Sequence, residues 1–577
     1  MKPTFTAAAR PRLLPYALVL AIFVFAWMFY ILFGSYQHWE STGLEVPNMG
    51  STLRNGLFAI VGLVAVGFTA HWAMRTTPSA NATAPVPAST SSAHAVVSSP
   101  YANAGSAKML AATGQKYALE IRGIGLAVAG RRQEGIWEQI EEKKDNYSTI
   151  LSDDPKRYGE NPDERKIFST LATGSAFKYA ASEAVDHWPL PVIILGPPKG
   201  PIGKYRSAFE LADARQNAGL GVTLFLRIDD KNTSSAAPAL SQLFEFFDQH
   251  PDVPAVLVMT QDGMQYRWAA KTPGTPSDPP GAFIPPVPDS MATLLVSRTD
   301  RVDQLVRPYA VNVPGDIDKD KTQYDVVKLW NYYWKEDDIF QDEFNNNPSN
   351  GTGVATMTTD WWVSKLPELW KETTSKGPGD FKPSPYLPVR WTNWQIEEFD
   401  EAPLLGYLHR PVTVKLSDSE GKPMRRSEQA QALQDGWKQA MATLPDGAKP
   451  TRVFYDTSSD RTWAIPLSQA LHGNAEGIDL SEVKEGYDIG RRIGNTGVSS
   501  ALVQVCLATI GSYRAGGASA TVNLMDNGTA SIVMVSPPND ASKAANLKHR
   551  GPDPLKYRSA GRNAGVTNIE DKHDRTR

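Results

Sequence analysis

Cysteine is all but missing: among 577 residues only Cys506 is present. An intrachain disulfide and a cysteine-built zinc cluster are thereby excluded, and the pattern fits a reducing compartment. An excess of charge is missing too. Lys and Arg number 59 against 62 Asp and Glu, so no basic bias announces a nucleic-acid partner. No HExxH, GxSxG or Cys/His metal spacing occurs, which removes the common zinc- and serine-hydrolase signatures. The nine histidines are scattered. His409 and His472, in strongly patterned segments, read as structural, and His71, near the end of an apolar run, as interfacial. These residues suggest no metal site and no cofactor.

Long apolar runs, by contrast, are there. Residues 13–33 and 56–74 are each long enough to cross a bilayer core of roughly 30 Å. The first is too long for a signal-peptide core and lacks a clean small-x-small cleavage site before Gln37. Lys2, Arg10 and Arg12 precede the first run and Arg75 follows the second, whereas the loop between carries only Arg54 against Glu40 and Glu45. The positive-inside rule then predicts a transmembrane hairpin over 1–75 with both ends cytoplasmic. The globular part that follows is then expected in the cytoplasm. Residues 76–115 are mostly Ala, Ser, Thr and Pro and read as a flexible linker.

From about 116 a strand–helix alternation begins. Leu119-Glu-Ile-Arg-Gly-Ile-Gly-Leu-Ala-Val reads as a strand, and 133–143 as a helix with Ile136, Trp137 and Ile140 on one face. Gly123 and Gly125 do not make a dinucleotide fingerprint, because the next glycine, Gly130, comes too late. A helix over 168–187 and strands at 191–196, 221–228 and 255–259 follow, with a helix ending near His250 before the last strand. Residues 196–204 imitate a phosphate loop, but Pro198 stands where the first glycine belongs and Tyr205 replaces the magnesium-binding Ser/Thr.

Residues 271–288 are a Pro-rich loop. Beyond it crowd Trp330, Trp334, Trp361, Trp362, Trp370, Trp391 and Trp394, interleaved with Tyr332, Tyr333, Phe340 and Phe344. This stretch breaks the alternation, so 271–400 reads as loop plus aromatic insertion. Trp361, Trp362, Trp391 and Trp394 are candidate partner-binding residues, since Trp buries a large area at little entropic cost. The plainer reading is that they pack the insertion onto the scaffold.

The rhythm resumes with a strand over 404–416 and a helix over 427–443. A strand at 451–455, a helix to about His472, a helix after Gly494-Asn-Thr-Gly497 and two strands, 519–524 and 529–535, complete it. The last helix is apolar on most faces, and Asn527-Gly528 predicts a tight hairpin. The tail, 541–577, reads as disordered.

Several of these stretches resemble, in order, the ketoacyl synthases of the thiolase-like fold. Residues 119–128 with Gly135-Ile-Trp137-Glu are similar to their opening strand and helix. Asn232-Thr233-Ser-Ser235 resembles their nucleophile turn, Tyr455-Asp456-Thr-Ser458 and Ile493-Gly-Asn495-Thr-Gly497 the loops carrying their two histidines. The resemblance implies a layered αβαβα core, with halves at 116–270 and 401–540, and a homodimer. It also implies catalytic positions at Thr233, Asp456 and Asn495. Those enzymes need a low-pKa cysteine and two histidines there. A threonine without a base is a poor nucleophile, and an aspartate repels an oxyanion, so the expectation is a non-catalytic relative.

The chain also resembles the type VI lipase adaptor family. Residues 123–137, Trp391-Thr-Asn-Trp394-Gln with Glu397, Glu398 and Phe399, and Leu405-Gly-Tyr-Leu-His-Arg-Pro411 carry the likeness. It implies an adaptor that binds a lipase effector and assists its loading onto the secretion spike protein. The competing expectations are a membrane-tethered enzyme processing acyl-thioesters and a structural protein of an envelope machine.

Overall fold

In a computed structural model of the chain, the described residues are Phe23, Val24, Trp27 and Met28, each helical, and 117–556 without 197–205, 219, 221–222, 229–236, 271, 273, 316, 347–353, 475–476 and 526. Residues Met1–Tyr101 and Ala102–Arg577 form separate units, and the sheet and its helices belong to the second. The expected hairpin over 13–33 and 56–74 lies almost wholly outside the described residues. Among those described, no helix is long and apolar enough to cross a membrane.

The first half opens with β1 (Leu119–Val128), its short partner β2 (Arg131–Arg132) and α1 (Gln133–Glu141), which buries Ile136, Trp137 and Ile140 as the spacing predicts. α2 spans Pro162–Ala181, six residues earlier than expected, because Asn161 caps it by accepting from Glu164 N–H and Pro162 takes the first turn. β3 (Leu190–Leu195), α3 (Arg206–Asn217), β4 (Leu224–Ile228), α4 (Ala237–Gln249), β5 (Ala255–Asp262), α5 (Met264–Ala269) and β6 (Ser290–Ser297) follow. The glycines of β1 serve packing. A Cβ on Gly125 would stand 1.6 Å from Ala176 O, and one on Gly123 2.7 Å from Ala180 O, so α2 lies directly on the β1 backbone.

The aromatic segment folds into α6 (Asp325–Asn345), α7 (Thr359–Glu372) and α8 (Asn393–Glu401). The second half contains β7 (Gly406–Leu408), β8 (Val412–Lys415), α9 (Arg426–Met441), β9 (Pro450–Tyr455), α10 (Ala464–His472), β10 (Gly486–Asp488), α11 (Ser500–Ala515), β11 (Ala518–Met525) and β12 (Thr529–Ser536). The single strand expected over 404–416 is thus two, parted at His409-Arg410-Pro411, where Pro411 has no N–H to give a ladder. The hairpin exists, but Met525 pairs with Thr529 across a three-residue loop whose positive φ, +71°, falls at Gly528. The tail also departs from expectation. Asn539 caps α12 (Asp540–Arg550), and Asn546 clasps both backbone polar groups of Leu404.

The strands form one mixed sheet in the order β10-β9-β11-β12-β7-β1-β6-β5-β3-β4, with β2 beside β1 and β8 beside β12. The two halves repeat one topology. β3, β4 and β5 are parallel, and β6 returns antiparallel between β5 and β1. Likewise β9, β10 and β11 are parallel, and β12 returns antiparallel between β11 and β7. β1 and β7 pair antiparallel at the join. α11 is buried from Ser500 to Ser512 and packs on β11, β12 and β9 of its own half and on β6 and β1 of the other.

Candidate functional site

Parallel strands present their C-terminal ends on one side, where α/β proteins place their chemistry. Here the ends of β5, β9 and β10 surround the first turn of α11. Thr233 lies outside the described residues. Asp456 reaches the first residue of α11 and Asn495 lies in the turn that leads into it, each engaged in local hydrogen bonds. Asn495 Oδ1 accepts from Gly497 N–H at 3.0 Å, closing a local turn. Asp456 accepts from Ser458 N–H at 2.7 Å and from the Ser500 hydroxyl. Next to it, Asp488 accepts from Thr457 N–H at 3.2 Å and Thr457 Oγ1 at 2.5 Å, and pairs with Arg491 at 3.2 Å. Burial raises the Asp488 carboxyl above the usual range.

The decisive group is Asp262 at the end of β5. It is fully buried. Its Oδ2 accepts from Val498 N–H at 2.8 Å, and its Oδ1 from Gly263 N–H at 2.7 Å. Arg267 meets both oxygens, Nε to Oδ1 at 2.7 Å and Nη2 to Oδ2 at 2.8 Å. The hydrogen bond to Asp262 raises the Arg267 pKa further. A helix N-terminus attracts anions through its free N–H groups and dipole. In the turn Gly497–Ser499 that leads into α11, the Val498 N–H is taken by the chain's own carboxylate. Gly497, at φ +56°, is needed for the fit, since its Cβ would stand 2.0 Å from Asp262 Oδ2. Close by, Asp289 accepts from Gln265 N–H at 3.0 Å. Desolvation first, and the Asp262 charge with it, push its carboxyl up to about 7.

Asp262 and Arg267 belong to no sequence motif. Their one local signal is Thr260-Gln-Asp-Gly263, a polar end on the buried run of β5. Cys506 is buried in α11, its Sγ 3.9 Å from Gly125 O, and burial pushes its thiol pKa up. A thiol so placed is no nucleophile. Among the described residues no group of three or more His, Cys, Asp or Glu side chains is placed to hold a metal ion.

Two family models match the chain: Type VI lipase adapter protein Tla3, N-terminal, over residues 117–280, and its C-terminal counterpart over 405–537. Together they span more than half of the 577 residues. The chain belongs to the type VI lipase adapter family Tla3. Its solved structural neighbours are thiolase- and ketosynthase-like. The oxazolomycin ketosynthase domain OzmH KS8 of Streptomyces albus is 10% identical, at a TM-score of 0.35 and with 74% of this chain and 96% of that one covered. The ishigamide ketosynthase/chain length factor is 9% identical, at 0.37, covering 73% and 100%. The peroxisomal 3-ketoacyl-CoA thiolase of Saccharomyces cerevisiae is 9% identical, at 0.36, covering 73% and 98%.

In this adapter-family chain the aromatic segment lies between the two matched regions. Trp362 and Trp391 are buried in its core, Trp362 donating to Pro385 O at 3.1 Å and Trp391 standing edge-on to Trp188 at 5.3 Å. Their burial leaves these two no surface to offer a partner in this conformation. Trp361 and Trp394 are half-buried, against Phe340 at 5.3 Å and His187 at 6.0 Å. Trp391 and Trp394 thus pack toward the scaffold at Trp188 and His187, while Trp361 and Trp362 pack within the insertion. His409 is buried, 2.8 Å from Ser536 Oγ, and desolvation pulls its pKa down to about 4.

Proposed function

We propose that this chain is a non-catalytic adaptor that binds a lipase effector and assists its loading onto the type VI secretion spike. Family membership supports the adaptor half of that reading. The observation that supports the non-catalytic half is the Asp262–Arg267 pair beside the turn that leads into α11, where a fixed carboxylate already takes the Val498 N–H and holds a negative charge where an oxyanion would have to develop. A negative charge there opposes a developing one. The tether reading of 13–33 and 56–74 puts the adaptor on the inner membrane, with residues 117–556 in the cytoplasm next to the effector's site of synthesis.

The test mixes the purified full chain with the lipase effector from the same cells. A stoichiometric complex by light scattering, and co-purification of spike protein only when effector is present, are expected. Absence of any complex overturns the adaptor reading. Covalent labelling by acyl-thioesters would overturn the non-catalytic one. Membrane recovery of the full chain, lost on removing 1–75, checks the tether.

A further inference from the structure

The end strand of a sheet offers unpaired N–H and C=O groups to any passing strand, and folded proteins guard it. In the first half that strand is β4, which pairs with β3 on its inner side and with no other strand among the described residues. The chain runs outward from β3 through α3 to β4, then back past β3 through α4 to β5. Both crossovers join parallel strands and are right-handed by rule, which sets α3 and α4 on opposite faces of the sheet.

The aromatic insertion touches both of those helices. On the α3 side, the buried Arg215 guanidinium meets Asp337 Oδ2 of α6 at 3.1 Å and Tyr333 OH at 3.3 Å. It also lies 5.1 Å from the Trp334 ring, and Phe209 stands edge-on to Phe344 at 4.7 Å. On the α4 side, the Tyr386 ring is 5.6 Å from Phe246 and 5.0 Å from His250. Between the two sides runs α7, packed on α6 and against β4. Its tryptophans tie it to the segment reaching α4: Trp362 donates to Pro385 O, and Trp370 to Pro388 O at 3.0 Å. The insertion therefore passes around the end of the sheet from one face to the other, with a helix laid against the last strand.

A helix satisfies its own backbone groups, so at this place it excludes a strand rather than extending the ladder. We propose that the aromatic insertion is a clasp that closes the β4 edge against strand pairing with a second copy of this chain. The homodimer implied by the resemblance is then not built by joining two sheets through β4. Trp334, Trp362 and Trp370 then share a purpose: they hold the clasp to α3 and tie α7 to the segment that reaches α4. This inference rests on the packing alone and is independent of the adaptor reading.

The test loosens the clasp in the full chain at its two ends, with Asp337→Ala, which strands the buried Arg215 charge, and Tyr386→Ala. Light scattering should find the unaltered chain unassociated through β4, and the double variant in dimers and larger species whose share rises with concentration. Hydrogen exchange should show the variant's 359–372 amides opening, with β4 amides becoming protected on association. A variant that opens over 359–372 yet stays monomeric overturns the proposal, as does an unaltered chain whose dimerisation protects β4. Should the variant unfold altogether, native-state exchange of the unaltered chain decides. β4 amides must lose protection in the same step as 359–372, and exchange of the two in separate steps overturns the clasp.

Discussion

Asp289 is a residue whose charge the fold opposes. It sits beside the buried Asp262 carboxylate, which already has Arg267 as its counter-ion. With a folded pKa near 7 and an ordinary value of 3.8, its proton is held more tightly in the folded state. The cost of ionising it is therefore absent below the unfolded value, grows as pH rises between the two, and is complete above about 7. Asp289→Asn should leave stability unchanged near pH 4 and raise it by roughly 1–2 kcal/mol near pH 8, less than the face value of the shift because the carboxyl is partly exposed. Urea denaturation of both proteins at the two pH values checks the sign. None of this is legible in the sequence, where Asp262 and the first turn of α11 stand more than two hundred residues apart. Asp456 and Asn495 are legible because each lies in a short polar loop between patterned elements. The burial of Trp362 and Trp391 is hidden for a related reason, since composition gives a ring's size and not its surroundings.

At the scale of elements, helices and strands with one strong period are readable and those hidden by their neighbours are not. β1, α1, β9 and α11 lie where their apolar spacing puts them. β6 escapes notice, although it pairs with both β1 and β5, because a Pro-rich loop runs up to its first residue and an aromatic segment follows. α12 escapes notice because its surface is polar and its anchors, Asn546 on Leu404 and Arg550 on Glu183, are polar too. The glycines allow a sharper test. Gly125→Ala drives a methyl into Ala176 O and should destabilise by about 3 kcal/mol or more through forced separation of α2 from β1. Gly135→Ala, in α1, meets nothing nearer than the Gln139 side chain at 3.6 Å and should stabilise by about 0.5–1 kcal/mol. Thermal melts of the pair separate close packing from glycine content.

The whole molecule is two copies of one strand order that share a helix. α11 belongs to the second half by sequence, yet it packs on β6 and β1 of the first, and β7 pairs with both β1 and β12. The inner face of neither half closes without that helix. Fragments 117–403 and 404–556, made separately, should each lack a cooperative thermal transition. Mixed, they should recover one together with near-ultraviolet circular dichroism from the buried rings. Two cooperative fragments that ignore each other would show that the sharing of α11 is incidental.

The shared helix also sets a timetable for synthesis. A ribosome delivers β1 and β6 some two hundred residues or more before it delivers Ser500. Until then the growing polypeptide carries an open apolar trough with nothing of its own to fill it. Chaperones that attend nascent chains should stay bound to this one until its final strands emerge. Slowing translation anywhere between the Pro-rich loop and α11 should then cost yield, while the same pause after β12 should not.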